Sequence, residues 1–568
     1  MGSPNMAIPK AEESAEEEAV SGLRRFANVW TFCILAIVLA GIWAFDHRRE
    51  MAPDSLTFLD MASEAMKSGP AALINTMWNP LYPGFLALWL TMLRPAPDHL
   101  FQSAHLATLL LFCGVAVSFG LLLQSWMRLT KAGETSGASK ILVAAFGFSY
   151  FFAVFQQMGL TSSLSPDLLV SMCVFLAGWC CIRMAADASW KWPAVLGLVL
   201  AASYYAKPVG IPLGVALLAI LLIWPPRAGG RVRVLAAVLV FGAISCPLIL
   251  AISKRAGHPT TSESGSLNYV WHVNRFYIFY GWTGQDAGQF GTPEHAPRVL
   301  MENPRVLEFG SPVPGTYPLW YEPSYWYAGV RRQVNVRQQM AAASTNLHNL
   351  YETLADFPVL WAGVAALAIL SGRKGLRECL RLQMPWVTLW FAAVAAMCVG
   401  VHLEGRYVAA LLLMLVLGIS LALIQSLGRA ANPVLLTIAL AVALMTATSA
   451  VTTLSHIVRE RGNPGDDQRI ANRLRDLGIH EGDPIATAGL TFDAYWAKLC
   501  GIRIVAEAPD GEEFRKIDSG SLAELVGRLR NLGVKALVAR GGGPSQDRES
   551  WTDLPAKDGE HYSVLLIR

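Results

Sequence analysis

Residues 29–45, VWTFCILAIVLAGIWAF, carry no charge and directly follow a stretch containing Arg24-Arg25. As a helix this run rises about 25 Å, close to the roughly 30 Å of a bilayer's hydrocarbon core. An apolar run with a basic flank reads as a signal anchor whose basic side stays in the cytoplasm. Similar runs recur along the chain. Eleven candidate spans start near residues 29, 103, 141, 168, 192, 209, 234, 357, 385, 407 and 432. The composition agrees, with 53% apolar and only 15% charged residues where a soluble domain carries about 25% charged. The mean hydropathy is +0.38. One large soluble enzyme, a coiled-coil rod and a disordered scaffold are excluded, and an α-helical polytopic membrane protein is expected.

Positive charge sets the orientation. With eleven spans and a cytoplasmic N-terminus, the inner loops hold Arg128, Lys131 and Lys140, then Arg183 and Lys191. Arg227, Arg231 and Arg233 follow, then Arg373, Lys374, Arg377 and Arg381, and finally Arg429. The opposite loop near 156–167 has no Lys or Arg. This asymmetry predicts a multi-pass protein of the inner (plasma) membrane with its C-terminus outside. Residues 1–27 are acidic and polar and read as a disordered cytoplasmic tail. Residues 28–454 form the membrane domain, with outer loops 46–102 and 253–356. Residues 455–568 read as an extracytoplasmic domain. The net charge of +4 suggests no nucleic-acid partner. The nine Cys fall mostly in apolar runs, with no metal-ligand spacing, so no disulfide framework is expected.

The tail alternates helix and strand patterns. Residues 466–478 are periodic at helical spacing, PIATAG is a short buried strand, and FDAYWAKLCG is a helix. IRIVAEA, KALVAR and HYSVLLIR read as strands. Ser521 with Glu524 reads as a capping box opening another helix. Together these predict a small α/β layer around a parallel sheet. Gly541-Gly542-Gly543 reads as a turn.

Chemistry-bearing residues gather at the outer ends of the spans. Asp54 follows the first span by nine residues and shares a helical face with Phe58, Met61 and Ala65. After Pro53 it also suits a helix N-cap. Asp60 and Glu64 read as a solvated face. Lys207, between two apolar runs, is costly at membrane depth unless it snorkels or meets an anion. Asp167, after Pro166, suits a cap. From Asn268 to Val330, fifteen of 63 residues are aromatic, against 10% for the chain. Such rings stack on sugars or anchor at the membrane interface.

Four segments in order carry a family likeness. Asp54…Phe58…Ala62…Gly69…Asn79-Pro80-Leu81-Tyr82-Pro83 resembles the first outer loop of GT-C membrane glycosyltransferases, in the branch of protein O-mannosyltransferases and aminoarabinose transferases. Ser165-Pro166-Asp167 is similar to that family's second outer loop. Tyr205-Ala206-Lys207-Pro208-Val209-Gly210 resembles its break between two short spans, and Glu404-Gly405-Arg406-Tyr407 its E-x-R-Y motif. The likeness covers roughly residues 28–225 and 385–430. Where the family often has a second acid after the first, this chain has Ser55.

The resemblance implies a GT-C-like fold, a polyprenyl-phosphate-linked sugar donor and an inverting transfer to a hydroxyl of a glycan, lipid or protein. A lipid phosphate is a good leaving group, so a single carboxylate suffices, with Asp54 as general base. Lys207, Arg406, Arg275 and His402 are the candidates for the departing phosphate. Glu404, Tyr407, Asp167, Tyr82, Trp320 and Trp326 are candidate supporting or substrate-contacting residues. No metal or cofactor is called for. A transporter or flippase of a lipid-linked saccharide would be expected to show paired halves, which the sequence lacks. A non-catalytic assembly protein is the other alternative.

Overall fold

A computed structural model describes residues 29–130, 139–226, 230–276, 290–309, 313–382, 385–489, 491–544, 546, 548–557 and 559–567. The expected tail at 1–27, with Arg24 and Arg25, lies outside the described residues, as do Lys131, Arg227, Tyr277, Phe279, Tyr280 and Trp282.

A helix occupies every expected span. These are α1 (Val29–Asp46), α4 (Leu100–Leu129), α5 (Lys140–Gln157), α6 (Asp167–Ala186), α7 (Lys191–Ala206), α8 (Gly210–Ile223) and α9 (Gly230–Ala256). They continue with α11 (Pro358–Leu382), α12 (Pro385–Gly400), α13 (Gly405–Leu427) and α14 (Asn432–Arg459). Between them lie α2 (Pro53–Ser68), α3 (Leu81–Leu93) and α10 (Val336–Ala355). By length and composition six helical stretches suffice to cross a bilayer, seven if the pair bent by 75° at 355–358 is one span. The longest, Gly405–Arg459, is divided by a tight turn over Gly428–Ala431. Its two parts, α13 and α14, pack against the same helices, α5 and α11, so the chain doubles back there. The protein is a multi-pass membrane protein.

Lipid tails are as apolar as Leu, so interlocking shape rather than water exclusion holds such helices together. Phe112, Phe119, Phe151, Phe155 and Phe175 of α4, α5 and α6 interdigitate, with Phe119 stacked on Phe151 at 4.8 Å. Small residues let neighbours approach. A Cβ on Gly178 would lie 2.6 Å from Met414, and one on Gly418 2.8 Å from Trp126.

Beside the membrane helices lies one mixed sheet of seven strands in the order β1-β2-β4-β3-β5-β7-β6. Five strands come from the tail: β3 (Pro484–Ala488), β4 (Arg503–Ala508), β5 (Ala536–Arg540), β6 (Thr552–Lys557) and β7 (Glu560–Leu566). Helices α15 (Asp466–Asp476), α16 (Tyr495–Cys500) and α17 (Ser519–Asn531) accompany them. The expected small α/β unit is present, with three differences. Only β3 pairs in parallel, with β4 (Ile485 beside Ile504) and β5 (Ile485 beside Ala536); the other pairings are antiparallel. Two strands, β1 (Arg298–Glu302) and β2 (Arg305–Glu308), come from the long aromatic loop, and β2 joins β4 with Leu307 beside Glu507. Helix α17 begins at Ser519 and is capped by Asp518, so Ser521 is not the cap; its hydroxyl donates to Asp518 instead. Asp518 outcompetes Ser521 because its carboxylate reaches two backbone N–H groups.

Candidate active site at the helix ends

Each catalytic candidate is positioned by a local break. Pro53 occupies the first turn of α2, where its fixed φ suits the helix and its missing N–H is not needed. Ala52 holds the cap position, so Asp54 stands in the first turn with its side chain uncommitted to capping. At the end of α7, Lys207 adopts extended geometry (φ −155°, ψ 144°) before Pro208, which cannot continue a hydrogen-bonded helix. Gly210 then lets α8 fold back. A Cβ there would lie 2.3 Å from the Tyr204 nitrogen. The Asn79 amide donates to the Tyr204 carbonyl, tying the α2–α3 connection to this break.

The 399–404 turn ahead of α13 is held by α10. Gln339 donates to the Gly400 carbonyl at 2.5 Å, and Asn346 donates to Val399 and accepts from the Leu403 N–H at 3.1 and 3.2 Å. Asn335 caps α10 by accepting from the Gln338 N–H. This 20-residue helix lies in what reads from sequence as an outer loop; its apolar positions are too sparse to announce it.

These breaks bring together residues from four helix ends. Lys207 Nζ lies 2.5 Å from Asp167 Oδ1, and Arg406 Nε lies 3.6 Å from Asp167 Oδ2 and 2.5 Å from Glu404 Oε2. Asp167 is therefore no cap: Pro166 holds that position, and the buried Asp167 carboxylate is shared by two cations. Ser165 Oγ donates to it at 3.1 Å. His402 Nε2 meets Glu404 Oε1 at 3.1 Å, and its ring stacks on His272 at 3.8 Å. Lys207 Nζ also sits 4.4 Å from the Tyr407 ring centroid.

Asp54 is half-buried and makes no ion pair among the described residues. Its close partner is Trp320, whose Nε1 donates to Oδ1 at 3.2 Å. Burial pushes the Asp54 carboxyl above its ordinary range. The charges of Arg406 and Lys207 and the Trp320 hydrogen bond oppose that push, and Glu404 adds to it. Burial also acts on Glu404, but His402 and Arg406 pull its carboxyl down to about 2. Burial and the neighbouring His402 hold the His272 imidazole down at about 4.

Two cations, Lys207 and Arg406, thus face two carboxylates, Asp167 and Glu404, with a third carboxyl, Asp54, beside them. Beyond Asp167 and Arg406 runs a narrow apolar crevice of about 20 Å³ between α6, α8 and α13, walled by Val170, Val174, Val209, Leu213, Ala410 and Leu411.

Of the sequence candidates, the structure brings Asp54, Asp167, Lys207, His402, Glu404, Arg406, Tyr407 and Trp320 into one cluster. It leaves Arg275 out. That residue is exposed, in left-handed backbone (φ 56°), and none of the cluster's contacts reaches it among the described residues. Tyr82 is fully buried, bonded to Thr108 and packed on Phe58, and serves as packing behind the cluster. Trp326 donates to the Pro318 carbonyl and supports the aromatic loop from behind. Asp60 is not on a solvated face. It is buried, accepting from the Thr316 N–H at 2.7 Å, the Thr316 hydroxyl at 2.9 Å and Lys498 Nζ at 2.9 Å. Its neighbour Glu64 is half-buried, accepting from Ser68, at the wall of a 970 Å³ cavity between α2 and the tail unit. His272 and the 399–403 clamp escaped sequence reading.

No family model matches the sequence, and no curated protein matches it. Solved structures do. The aminoarabinose transferase ArnT from Cupriavidus metallidurans, in its apo state, superposes with a TM-score of 0.52 at 14% identity over 96% of this chain and 98% of that one. The fold is GT-C. The same protein bound to undecaprenyl phosphate gives a TM-score of 0.50 at 14% identity, covering 94% of this chain and 97% of the other. An oligosaccharyltransferase from Archaeoglobus fulgidus, tethered with an acceptor peptide, is more distant, with a TM-score of 0.43 at 11% identity over 90% of this chain and 69% of its own. The membrane helices and the α/β unit both fall within the aligned length.

Proposed function

We propose that the chain transfers a sugar from a polyprenyl-phosphate-linked donor to a hydroxyl acceptor on the outer face of the membrane, with inversion in a single displacement. A solved structure of the same fold carries undecaprenyl phosphate. The observation that carries the reading is the pairing of an uncommitted, half-buried carboxyl, Asp54, with two cations, Lys207 and Arg406, gathered on Asp167, which with Arg406 lines the head of a small apolar crevice. The crevice would widen to take the polyprenyl chain, and the cations would meet its phosphate.

Asp54 accepts the acceptor's proton as the hydroxyl attacks the anomeric carbon. Its raised pKa brings it closer to the range in which a base is effective at neutral pH. Charge growing on the departing phosphate is met by Lys207 and Arg406. Both are bound to Asp167 in the resting arrangement, so the phosphate competes with Asp167 for them. That competition disfavours tight binding of the product phosphate, which helps turnover.

The test is release of undecaprenyl phosphate from undecaprenyl-phosphate-linked sugars by the full chain in liposomes supplied with glycan, lipid and peptide hydroxyl acceptors. Release by the wild type and not by Asp54→Asn is expected. Equal release by both removes Asp54 as the base, and no release by the wild type with any such donor removes the reaction.

A further inference from the structure

The segment 313–327 is a strap between the membrane domain and the sheet, and two buried carboxylates on opposite sides grip adjacent residues of it. Asp60 of α2 accepts both the N–H and the hydroxyl of Thr316, and Lys498 of α16 holds the same carboxylate. Glu507 of β4 is fully buried and accepts from the Tyr317 hydroxyl at 2.9 Å, the Thr491 N–H at 3.1 Å and the Thr491 hydroxyl at 2.5 Å. The Ile504 N–H donates to the Thr316 carbonyl, and Arg503 to that of Val313. Three residues beyond Tyr317, the indole of Trp320 reaches Asp54.

We propose that Asp60 and Glu507 are positioning residues for the transfer reaction, setting through Thr316 and Tyr317 the place of the Trp320 indole that hydrogen-bonds the base Asp54. The inference rests on the proposed function in taking Asp54 as base. The Thr57 hydroxyl of α2 holds the Trp320 carbonyl at 3.1 Å, and the rings around the indole do not by themselves fix where it lies. Trp271 stacks at 5.7 Å, and Trp78 and Phe492 meet it edge-on at 5.9 and 4.9 Å. Such contacts tolerate sliding, whereas directed hydrogen bonds to carboxylates do not. The two grips come from different parts of the chain, so Asp54 is correctly tuned only when the sheet is docked on α2.

The readout is the pH profile of kcat/KM for the full chain in liposomes with an undecaprenyl-phosphate-linked sugar. The groups facing Asp54 are Arg406 and Glu404 before and at the start of α13, Lys207 at the α7–α8 break, and Trp320; Lys498 faces Asp60. None of the three charged groups facing Asp54 is altered by Asp60→Asn, Glu507→Gln or Trp320→Phe. The indole bond stabilises the carboxylate, so losing it moves the acid limb to higher pH, by about one unit for a charged-acceptor bond. Trp320→Phe is expected to give that shift, and Asp60→Asn and Glu507→Gln each a part of it. The double variants with Trp320→Phe should shift no further than Trp320→Phe alone. Should Asp60→Asn fail to fold, Glu507→Gln carries the test from the other wall. Wild-type profiles for the positioning variants beside a shifted Trp320→Phe, shifts that add fully to it, or an unmoved Trp320→Phe profile overturn the inference alone. An active Asp54→Asn overturns the reading beneath it.

Discussion

Asp54 and Asp60 stand six residues apart on α2 and point to different neighbourhoods. Asp60 spends its lone pairs on one N–H, one hydroxyl and one ammonium, all within 2.9 Å. Asp54 has one hydrogen bond, from an indole at 3.2 Å, and feels Arg406 and Lys207 only at longer range. Both sit in one helix, Asp60 buried and Asp54 half-buried, and that difference in exposure alone does not separate their roles. Saturation does. A carboxylate whose acceptor sites are filled by fixed donors has no place for a substrate proton, whereas one left open beside cations has.

The strongest way to break this comparison is to neutralise each acid. Asp54→Asn is expected to lower kcat by about 10²–10⁴-fold, the usual worth of a positioned base, with no change in apparent melting temperature. Steady-state transfer and thermal unfolding in the same liposomes would show it. A variant that melts early while keeping its residual kcat would instead put Asp54 with the structural acids.

Lys207→Met comes next. It removes one of the two cations from the shared Asp167 and is expected to cost about 10²–10³-fold in kcat, as for loss of one preorganised charge-stabilising group. It should also move the acid limb of kcat/KM upward, because Lys207 favours ionised Asp54. Loss of donor binding with unchanged kcat would mean that the lysine contributes uniform binding rather than transition-state stabilisation.

Asp60→Ala sharpens the other side. It strands Lys498, whose side chain is only 11% exposed, and removing one partner of a buried ion pair costs about 3–5 kcal/mol. The expected sign is a lower apparent melting temperature than for Asp54→Ala, with protection of the strap and α16 lost in hydrogen exchange. If Asp54→Ala proved the more destabilising, saturation would not be what distinguishes the two acids.

How much of this was legible followed sequence distance. The helix-breaking Lys207-Pro208-Val209-Gly210 and the Glu404-Gly405-Arg406-Tyr407 run announce themselves because Pro and Gly leave local marks, and most of the membrane helices follow from apolar runs. Asp54 stood out by its place after the first span. Asp167 and Asp60 were read by their local setting, as cap and solvated face, because their real partners are remote. Lys207 lies 40 positions from Asp167, and Lys498 lies 438 from Asp60. The β1–β2 hairpin joined a sheet made almost 200 residues later, so the loop's composition showed its aromatics but not its strands. Tyr82 is a candidate by its place in a motif segment, and Arg275 and Trp326 by residue type in the aromatic loop; type alone does not say which way a side chain faces.

The smallest expected effect bears most directly on the electrostatics. Glu404 is held ionised by His402 and Arg406, and its charge raises the Asp54 pKa. A base works only when deprotonated, so activity falls as pH drops through the Asp54 pKa, and a raised pKa places that fall above the ordinary aspartate range. Removing a neighbouring negative charge lowers that pKa. Glu404→Gln should therefore move the acid limb to lower pH, by less than about one unit for a partly solvated neighbour. That is opposite in sign to Lys207→Met, although both variants remove a charge from the same cluster. Opposite shifts would mean that Asp54 titrates in the field of this balanced group. Shifts of the same sign would mean that the profile reports rearrangement of Arg406 and not the proton on Asp54.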